Sequence, residues 1–305
     1  MTRICVTGEA LVDYVPDNEG VLQWTPGGSG LNTVVALARL GLDTSFSASL
    51  SQDTDGHRLS AFMRDENIDL THAHISPKSC PHVIVSNDAR GVPAYDLHLA
   101  GSALEDAPAC WSWDADTQHF HATSFAATLG PCGDASVAAL HATRGHMTSS
   151  FDPNLRASVF PNRSVVPLLL AQRIRHADIV KVSSEDLDVL APGILHDHLI
   201  GEWRALGPKL LIVTRGAKGA IAFFENSYVE VAACCVVVCD TIGAGDTFMG
   251  AFLAIMAQDK CLGALPQAFA PDQVARWLAF ASKAASLCCM RAGANPPRLV
   301  EMSAS

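Results

Sequence analysis

Six short apolar runs, at residues 3–8, 44–50, 118–124, 147–151, 179–182 and 210–214, are each bounded by turn-forming residues and separated by stretches of helical spacing. Strands that are apolar throughout, alternating with helices, point to a parallel sheet. Each parallel pair needs a crossover, and the crossover helices bury both faces. The expected helices lie at 32–40, 136–142, 183–190 and 276–287. Two segments break the rhythm, 13–25 and 81–99. The second reads as strand, turn at Asp88-Ala89-Arg90-Gly91, strand, and the two together are expected to form a small antiparallel sheet or lid. With 305 residues, 49% of them hydrophobic and 17% charged, the chain can bury one large core or two modest ones. No repeat or low-complexity linker marks a boundary, so residues 1–305 read as one α/β unit carrying the two lid segments.

Charge narrows the function classes. Lys and Arg total 21 against 31 Asp and Glu, a net charge of −10, with no basic stripe of the kind that tracks a nucleic-acid backbone. No run approaches the length of a membrane span, and the opening residues pass straight into strand-like sequence, so a cytoplasmic protein with no membrane partner is expected. Ten dispersed cysteines read as reduced thiols, with Cys234, Cys235 and Cys239 expected to be buried on an apolar run. The pairs His72/His74, His119/His121 and His196/His198 lack a third ligand at metal spacing and read as structural or solvated.

The segment carrying chemistry is Asp240-Thr241-Ile242-Gly243-Ala244-Gly245-Asp246-Thr247-Phe248-Met249-Gly250. It follows a strand-like run and opens an apolar stretch in which Phe248, Phe252 and Ile255 keep helical spacing. Small residues at 243–245 let backbone N–H groups approach an anion, and the helix N-terminus adds partial positive charge at the same place. The plain alternative is a tight strand-to-helix turn with Asp246 as its cap. Neither the lysine-bearing P-loop pattern nor the dinucleotide-binding glycine pattern occurs in the chain.

These residues resemble the ribokinase-like (PfkB-type) carbohydrate kinases, and among them the fructokinases. Residues 240–251 match the family's C-terminal signature at every position. Gly27-Gly28-Ser29-Gly30-Leu31-Asn32-Thr33, followed by Ala38-Arg39-Leu40-Gly41, resembles the other signature, with Ser51 where that pattern ends in glycine. Gly8-Glu9-Ala10-Leu11-Val12-Asp13 resembles the first strand with its sugar-binding Asp. Asp152-Pro153-Asn154-Leu155-Arg156, Thr214-Arg215-Gly216-Ala217-Lys218-Gly219 and Arg291-Ala292-Gly293-Ala294 are similar to further familial segments, in family order.

The resemblance implies a three-layer α/β sandwich with a small β-lid, and a Mg·ATP-dependent sugar kinase. It casts Asp246 as the base, with Gly243, Ala244 and Gly245 as an anion hole. Asp13, Gly27, Gly28 and Asn32 bind the sugar, and Thr214, Gly216 and Gly219 the nucleotide. Arg156 either approaches the transferred phosphate or merely solvates a loop end, and Lys181 is open in the same way. Phosphoryl transfer asks chiefly for positioning and charge stabilisation, which amides at 243–245 can supply. At the magnesium-associated position the family's N-x-x-E is replaced by Ser183-Ser184-Glu185-Asp186. Asp186 or Glu185 can hold a water on the metal, or Ser183 can cap the next helix with Asp186 completing a capping box. Asp240 and the Ile242 carbonyl are the candidate ligands of a monovalent cation such as K⁺. Ser282 stands where relatives often carry Asn near the adenine.

D-fructose phosphorylated on its 6-hydroxyl is the leading expectation. A 2-keto-3-deoxygluconate kinase is the rival, and Tyr95-Asp96-Leu97-His98-Leu99 lacks the Arg that relatives of both kinds often place there. A non-catalytic sugar- or nucleotide-binding regulator is the alternative from another class. An exposed lid sheet could pair two copies into a homodimer.

Overall fold

The computed structural model describes residues 2–17, 19–87, 93–160, 162–193 and 195–303. The turn expected at Asp88-Ala89-Arg90-Gly91 lies outside these residues. The chain opens with β1 (Arg3–Thr7), β2 (Leu11–Pro16), β3 (Leu22–Gly27) and helix α1 (Ser29–Arg39). Then come β4 (Asp43–Phe46), β5 (Ser49–Ser51), α2 (Thr54–Asp65), β6 (His74–Ser76), β7 (His82–Asn87) and β8 (Pro93–His98). The middle runs β9 (Thr117–Thr123), α3 (Gly130–Thr143), β10 (Thr148–Asp152), α4 (Val166–Ile174), β11 (Ile179–Ser183), α5 (Ser184–Leu190) and α6 (His196–Ala205). The remainder is β12 (Leu210–Thr214), β13 (Ala220–Phe224), β14 (Ser227–Val231), α7 (Ala244–Gln258), α8 (Pro271–Cys289) and α9 (Leu299–Met302).

Eight strands form the main sheet in the order β14-β13-β12-β11-β10-β9-β1-β4. Neighbours from β12 to β4 pair in parallel, while β13 and β14 close one edge as an antiparallel hairpin. Alternation sorts side chains onto the two faces. Ile4, Val6, Ile179, Leu210 and Ile212 meet one core beneath α1, α7 and α8, whereas Cys5, Phe120, Phe151, Val180, Leu211 and Val213 meet another beneath α3, α4 and α6. Both cores are buried, which is the physical content of the all-apolar runs. The three-layer sandwich expected from sequence is the one observed.

A second sheet, ordered β3-β2-β7-β8, is built from the two irregular segments. The pairs β2–β3 and β7–β8 are antiparallel as expected, but β2 and β7 run parallel. The single strand expected at 44–50 is two: β4 stays in the main sheet, and β5 pairs with β6 instead. Every residue from Thr44 to Leu50 is buried, so hydrophobicity alone carries no mark of the bend.

The cysteine reading is corrected. Cys234, Cys235 and Cys239 are exposed. After β14 the chain leaves the sheet edge and runs over α8, where Cys239 N–H donates to Cys289 O at 2.8 Å. One side of this segment faces a helix and the other faces solvent, leaving Val237 87% and Val238 56% exposed. The histidine pairs are tied to protein partners. His119 and His121 are fully buried and hydrogen-bonded to Thr148 and Ser150, while His72, His74, His196 and His198 pair with nearby carboxylates. No helix among the described residues is long and apolar enough to cross a membrane.

Candidate active site

Helices α1 and α7 both begin at the C-terminal edge of the parallel strands, where open α/β sheets place their ligand crevices. Small residues bring the two helices together: a Cβ on Gly250 would stand 2.8 Å from Ala36 Cβ. Phe248, Met249, Phe252 and Leu253 anchor α7 in the core, each worth about 1.5–3 kcal/mol of burial. The close packing sets the first turns of α1 and α7 side by side.

Asp246, only 5% exposed, sits in that crevice. One carboxylate oxygen accepts from Ser29 Oγ at 2.7 Å and Asn154 Nδ2 at 3.1 Å, and the other from Asn32 Nδ2 at 2.9 Å. Ser29 Oγ lies 2.8 Å from Thr123 Oγ1, so Thr123 donates to Ser29 while Ser29 donates to Asp246. The carboxylate is fixed by side chains from α1 and from the loop after β10. Asp246 is therefore not the cap of its own helix. The N-cap is Gly243, left-handed at φ 73°, and no side chain caps the turn. Ala244 N–H donates to Thr241 O at 3.2 Å, whereas the N–H groups of Gly245 and Asp246 find no acceptor among the described residues and carry the positive end of the helix dipole.

Gly243 is required by its backbone and its neighbours alike. A Cβ there would fall 2.6 Å from Ala294 Cβ, so the 291–294 segment packs directly on the turn. Asp240 clamps the same region, its carboxylate accepting from Ile242 N at 3.0 Å and Gly293 N at 2.9 Å. The Ile242 carbonyl accepts a long contact from Cys288 Sγ at 3.7 Å. Asp240 and the Ile242 carbonyl, the residues expected to hold a monovalent cation, thus sit together at the rim of the turn, each with a hydrogen bond already accepted.

Asp13, on β2, faces the lid side of the crevice. A side chain on Gly27 would collide with the Asp13 carboxylate, so glycine at 27 is what leaves that carboxylate open. Burial pushes the Asp13 carboxyl up to about 6. Among the described residues no donor satisfies it. Gly28 precedes α1 with φ 100°, its missing Cβ accommodating the Glu9 carbonyl. Glu9, also buried, accepts from Ser29 N at 2.8 Å and bonds Ser124, and burial raises its carboxyl.

The residues expected to bind the nucleotide lie at the end of β12 and in the turn that follows it. Thr214 ends β12, and Gly216 and Gly219 shape the short helical turn before β13. Glu185 Oε1 comes within 4.0 Å of where a Gly216 Cβ would be, so its exposed carboxylate faces this turn. Asp186 is otherwise engaged: Oδ1 accepts from Leu155 N at 2.7 Å, and Oδ2 from Ser183 N and Oγ at 3.1 and 2.8 Å. Ser183 and Asp186 form a full capping box on α5. Of the two metal candidates, Glu185 is the less engaged, with Oε2 accepting from Ser184 Oγ at 3.3 Å, and it could hold a water of a hydrated Mg²⁺. Arg156 is exposed and donates to Asn154 Oδ1 at 2.8 Å, one side chain removed from Asp246. Ser51 is structural, donating to Lys78 O at 2.6 Å, and Ser282 is buried in α8.

Ser29, Thr123 and Asn154 belong to the site without having been singled out for it by sequence. Ser29 and Asn154 stand inside recognisable segments, but only tertiary packing shows that both reach Asp246.

The model of the pfkB family carbohydrate kinases matches residues 1–300. A fructokinase of Rhizobium leguminosarum bv. trifolii is 33% identical over 267 residues, covering 85% of this chain and 81% of the relative. A fructokinase of Xylella fastidiosa, solved with bound ATP, superposes with a TM-score of 0.87 at 25% identity, covering 99% of this chain and 97% of that one. A double mutant of the fructokinase of Vibrio cholerae O395, solved with fructose, ADP and a potassium ion, superposes with a TM-score of 0.84 at 27% identity, covering 100% and 98%.

Proposed function

Because the chain belongs to the pfkB family of carbohydrate kinases, and is a phosphotransferase acting on a sugar alcohol group, we propose that it phosphorylates D-fructose on the 6-hydroxyl from Mg·ATP. The observation that carries the reading is Asp246, fixed by three donors at the mouth of an uncapped helix turn. The sugar oxygen attacks the γ-phosphorus as the hydroxyl proton passes to Asp246. The new O–P bond forms while the bond to the β-phosphate oxygen breaks, and ADP leaves with that electron pair. The amides at Gly243, Ala244 and Gly245 hold the charge spread over the transferred group. Asp13 accepts hydrogen bonds from sugar hydroxyls, and Gly27, Gly28 and Asn32 shape the sugar's bed. Arg156 approaches the phosphates from the solvent side. Thr214, Gly216 and Gly219 bind the nucleotide, whose base rests on the exposed apolar edge of Val237, Val238 and Ile242.

Glu185 would hold a hydrated Mg²⁺ through one of its waters, and the ion would supply charge neutralisation for the nucleotide. Asp240 and the Ile242 carbonyl would hold K⁺ beside the turn, a reading supported by the potassium ion bound in the Vibrio cholerae relative. The preference for a neutral sugar over 2-keto-3-deoxygluconate rests on the lid. The face that carries Asp13 also carries Val83 and Leu97, its lateral neighbours across β7 and β8, and these are aliphatic. A substrate carboxylate would meet no cation at these two positions. The open edges of the lid, β3 and β8, are where a second copy would pair in a homodimer.

ADP release from Mg·ATP is the test, across fructose, other hexoses, ribose, 2-keto-3-deoxygluconate and adenosine, each with and without K⁺. Turnover on fructose far above the rest is expected. A higher kcat/KM on 2-keto-3-deoxygluconate overturns the substrate, and no turnover by folded protein that binds ATP brings the regulator reading forward.

A further inference from the structure

The sheet surface beneath the first turn of α7 is polar where a core should be apolar. His121 on β9, Ser150 and Asp152 on β10 and Lys181 on β11 all belong to this face, while Phe120, Phe151, Val180 and Val182 fill the opposite one. Lys181 is 2% exposed and its ammonium donates to Asp152 at 2.8 Å. Burial works against that ammonium, but Asp152, Asp186 and Asp246 outweigh it and hold the proton on. His121 is held neutral by burial and by its neighbours His119 and Lys181, so Lys181 is the cation of this cluster.

Gly245 shows what the ammonium faces. Its φ is not left-handed, and among the described residues the atom that a Cβ built there would meet beyond its own helix is Lys181 Nζ, at 3.0 Å. The absent side chain leaves the ammonium directly under the turn. A buried ion pair contributes little to folding compared with well-packed apolar residues, so its presence here asks for another account.

We propose that Lys181 is a charge-stabilising residue of the phosphoryl transfer. Its ammonium, anchored by Asp152 beneath Gly245, offsets the negative charge that Asp246 and the transferred phosphoryl group bring to the turn. It acts through space at the one point where a side chain on residue 245 would displace it. This inference rests on the kinase reading of the site and adds a residue to it.

The experiment compares wild type, Asp152→Asn and the double variant Lys181→Met/Asp152→Asn, since Lys181→Met alone strands a buried carboxylate. Asp152→Asn keeps the ammonium and should hold kcat within about tenfold of wild type. The double variant lacks it and should fall a further 10²-fold or so, the order seen when one preorganised charge-stabilising donor is lost, with sugar KM moving less than about threefold. A double variant matching Asp152→Asn in kcat shows that Lys181 only neutralises Asp152, and overturns the proposal. Wild-type turnover on the sugar panel reads the substrate assignment separately. Titration with Mg·ADP plus aluminium fluoride, against Mg·ADP alone, reads the same charge without turnover. The fluoride complex should tighten binding to Asp152→Asn at least tenfold more than to the double variant, and equal tightening again overturns the proposal.

Discussion

Asp13→Asn should stabilise the free protein and cripple the enzyme. The Asp13 carboxyl is raised by burial from 3.8 to about 6, a difference worth about 3 kcal/mol at most. Below pH 4 this group is protonated in both folded and unfolded chains and costs nothing. As the pH rises from about 4 to 6 the unfolded carboxyl ionises freely while the buried one keeps its proton, so stability declines, and above 6 the full cost is present. Asparagine keeps the shape and removes the ionisation. The variant should match wild type near pH 4 and exceed it by about 1–3 kcal/mol at pH 7.5, raising Tm by a few degrees. A sugar that donates two hydroxyls to this carboxylate loses about 1.5–3 kcal/mol for each charged hydrogen bond, a fall of about 10²–10⁴ in kcat/KM. Wild-type sugar affinity should also weaken about tenfold per pH unit below 6, and the Asn variant should lack that slope. Urea unfolding at the two pH values and steady-state kinetics check this. A variant less stable than wild type at pH 7.5, or one that keeps kcat/KM within threefold, refutes a desolvated sugar-binding carboxylate.

Gly243→Ala puts a Cβ 2.6 Å from Ala294 and forces alanine to φ 73°, so kcat should drop at least tenfold with a loss of about 1–2 kcal/mol in stability. ADP release and thermal melting measure both, and an unchanged kcat would separate this turn from the phosphoryl site. The two acidic neighbours on α5 should respond oppositely. Glu185→Gln should raise the Mg²⁺ needed for half-maximal rate about 3–10-fold with little change in Tm. Asp186→Asn should lower stability by about 0.5–2 kcal/mol through its capping box and leave the Mg²⁺ requirement in place, so a reversed pattern in metal titrations would transfer the metal role to Asp186.

What could be read without coordinates was local. The uniformly apolar runs mark strands buried on both faces, and Gly243-Ala244-Gly245-Asp246 marks the turn that opens α7. The partners of Asp246 are a different matter. Ser29 lies 217 positions away and reaches it because α1 and α7 pack through Ala36 and Gly250, while Asn154 lies 92 away and reaches it from the loop after β10. Lys181 was visible as a lysine at a strand end, yet its pairing with Asp152 depends on the register of β10 against β11. The cysteines at 234, 235 and 239 were misread because an apolar run was taken to mean burial. An apolar segment that runs over a helix with one side in solvent produces the same composition.

In the proposed mechanism Asp246 removes the hydroxyl proton while the turn before it holds the phosphoryl group. Asp246→Asn keeps the size of the side chain and abolishes its capacity as a base. Initial rates of ADP release with Mg·ATP and fructose, beside ATP affinity measured by calorimetry, should show kcat reduced about 10²–10⁴-fold and ATP binding nearly unchanged. Turnover close to wild type in the folded variant would contradict the account.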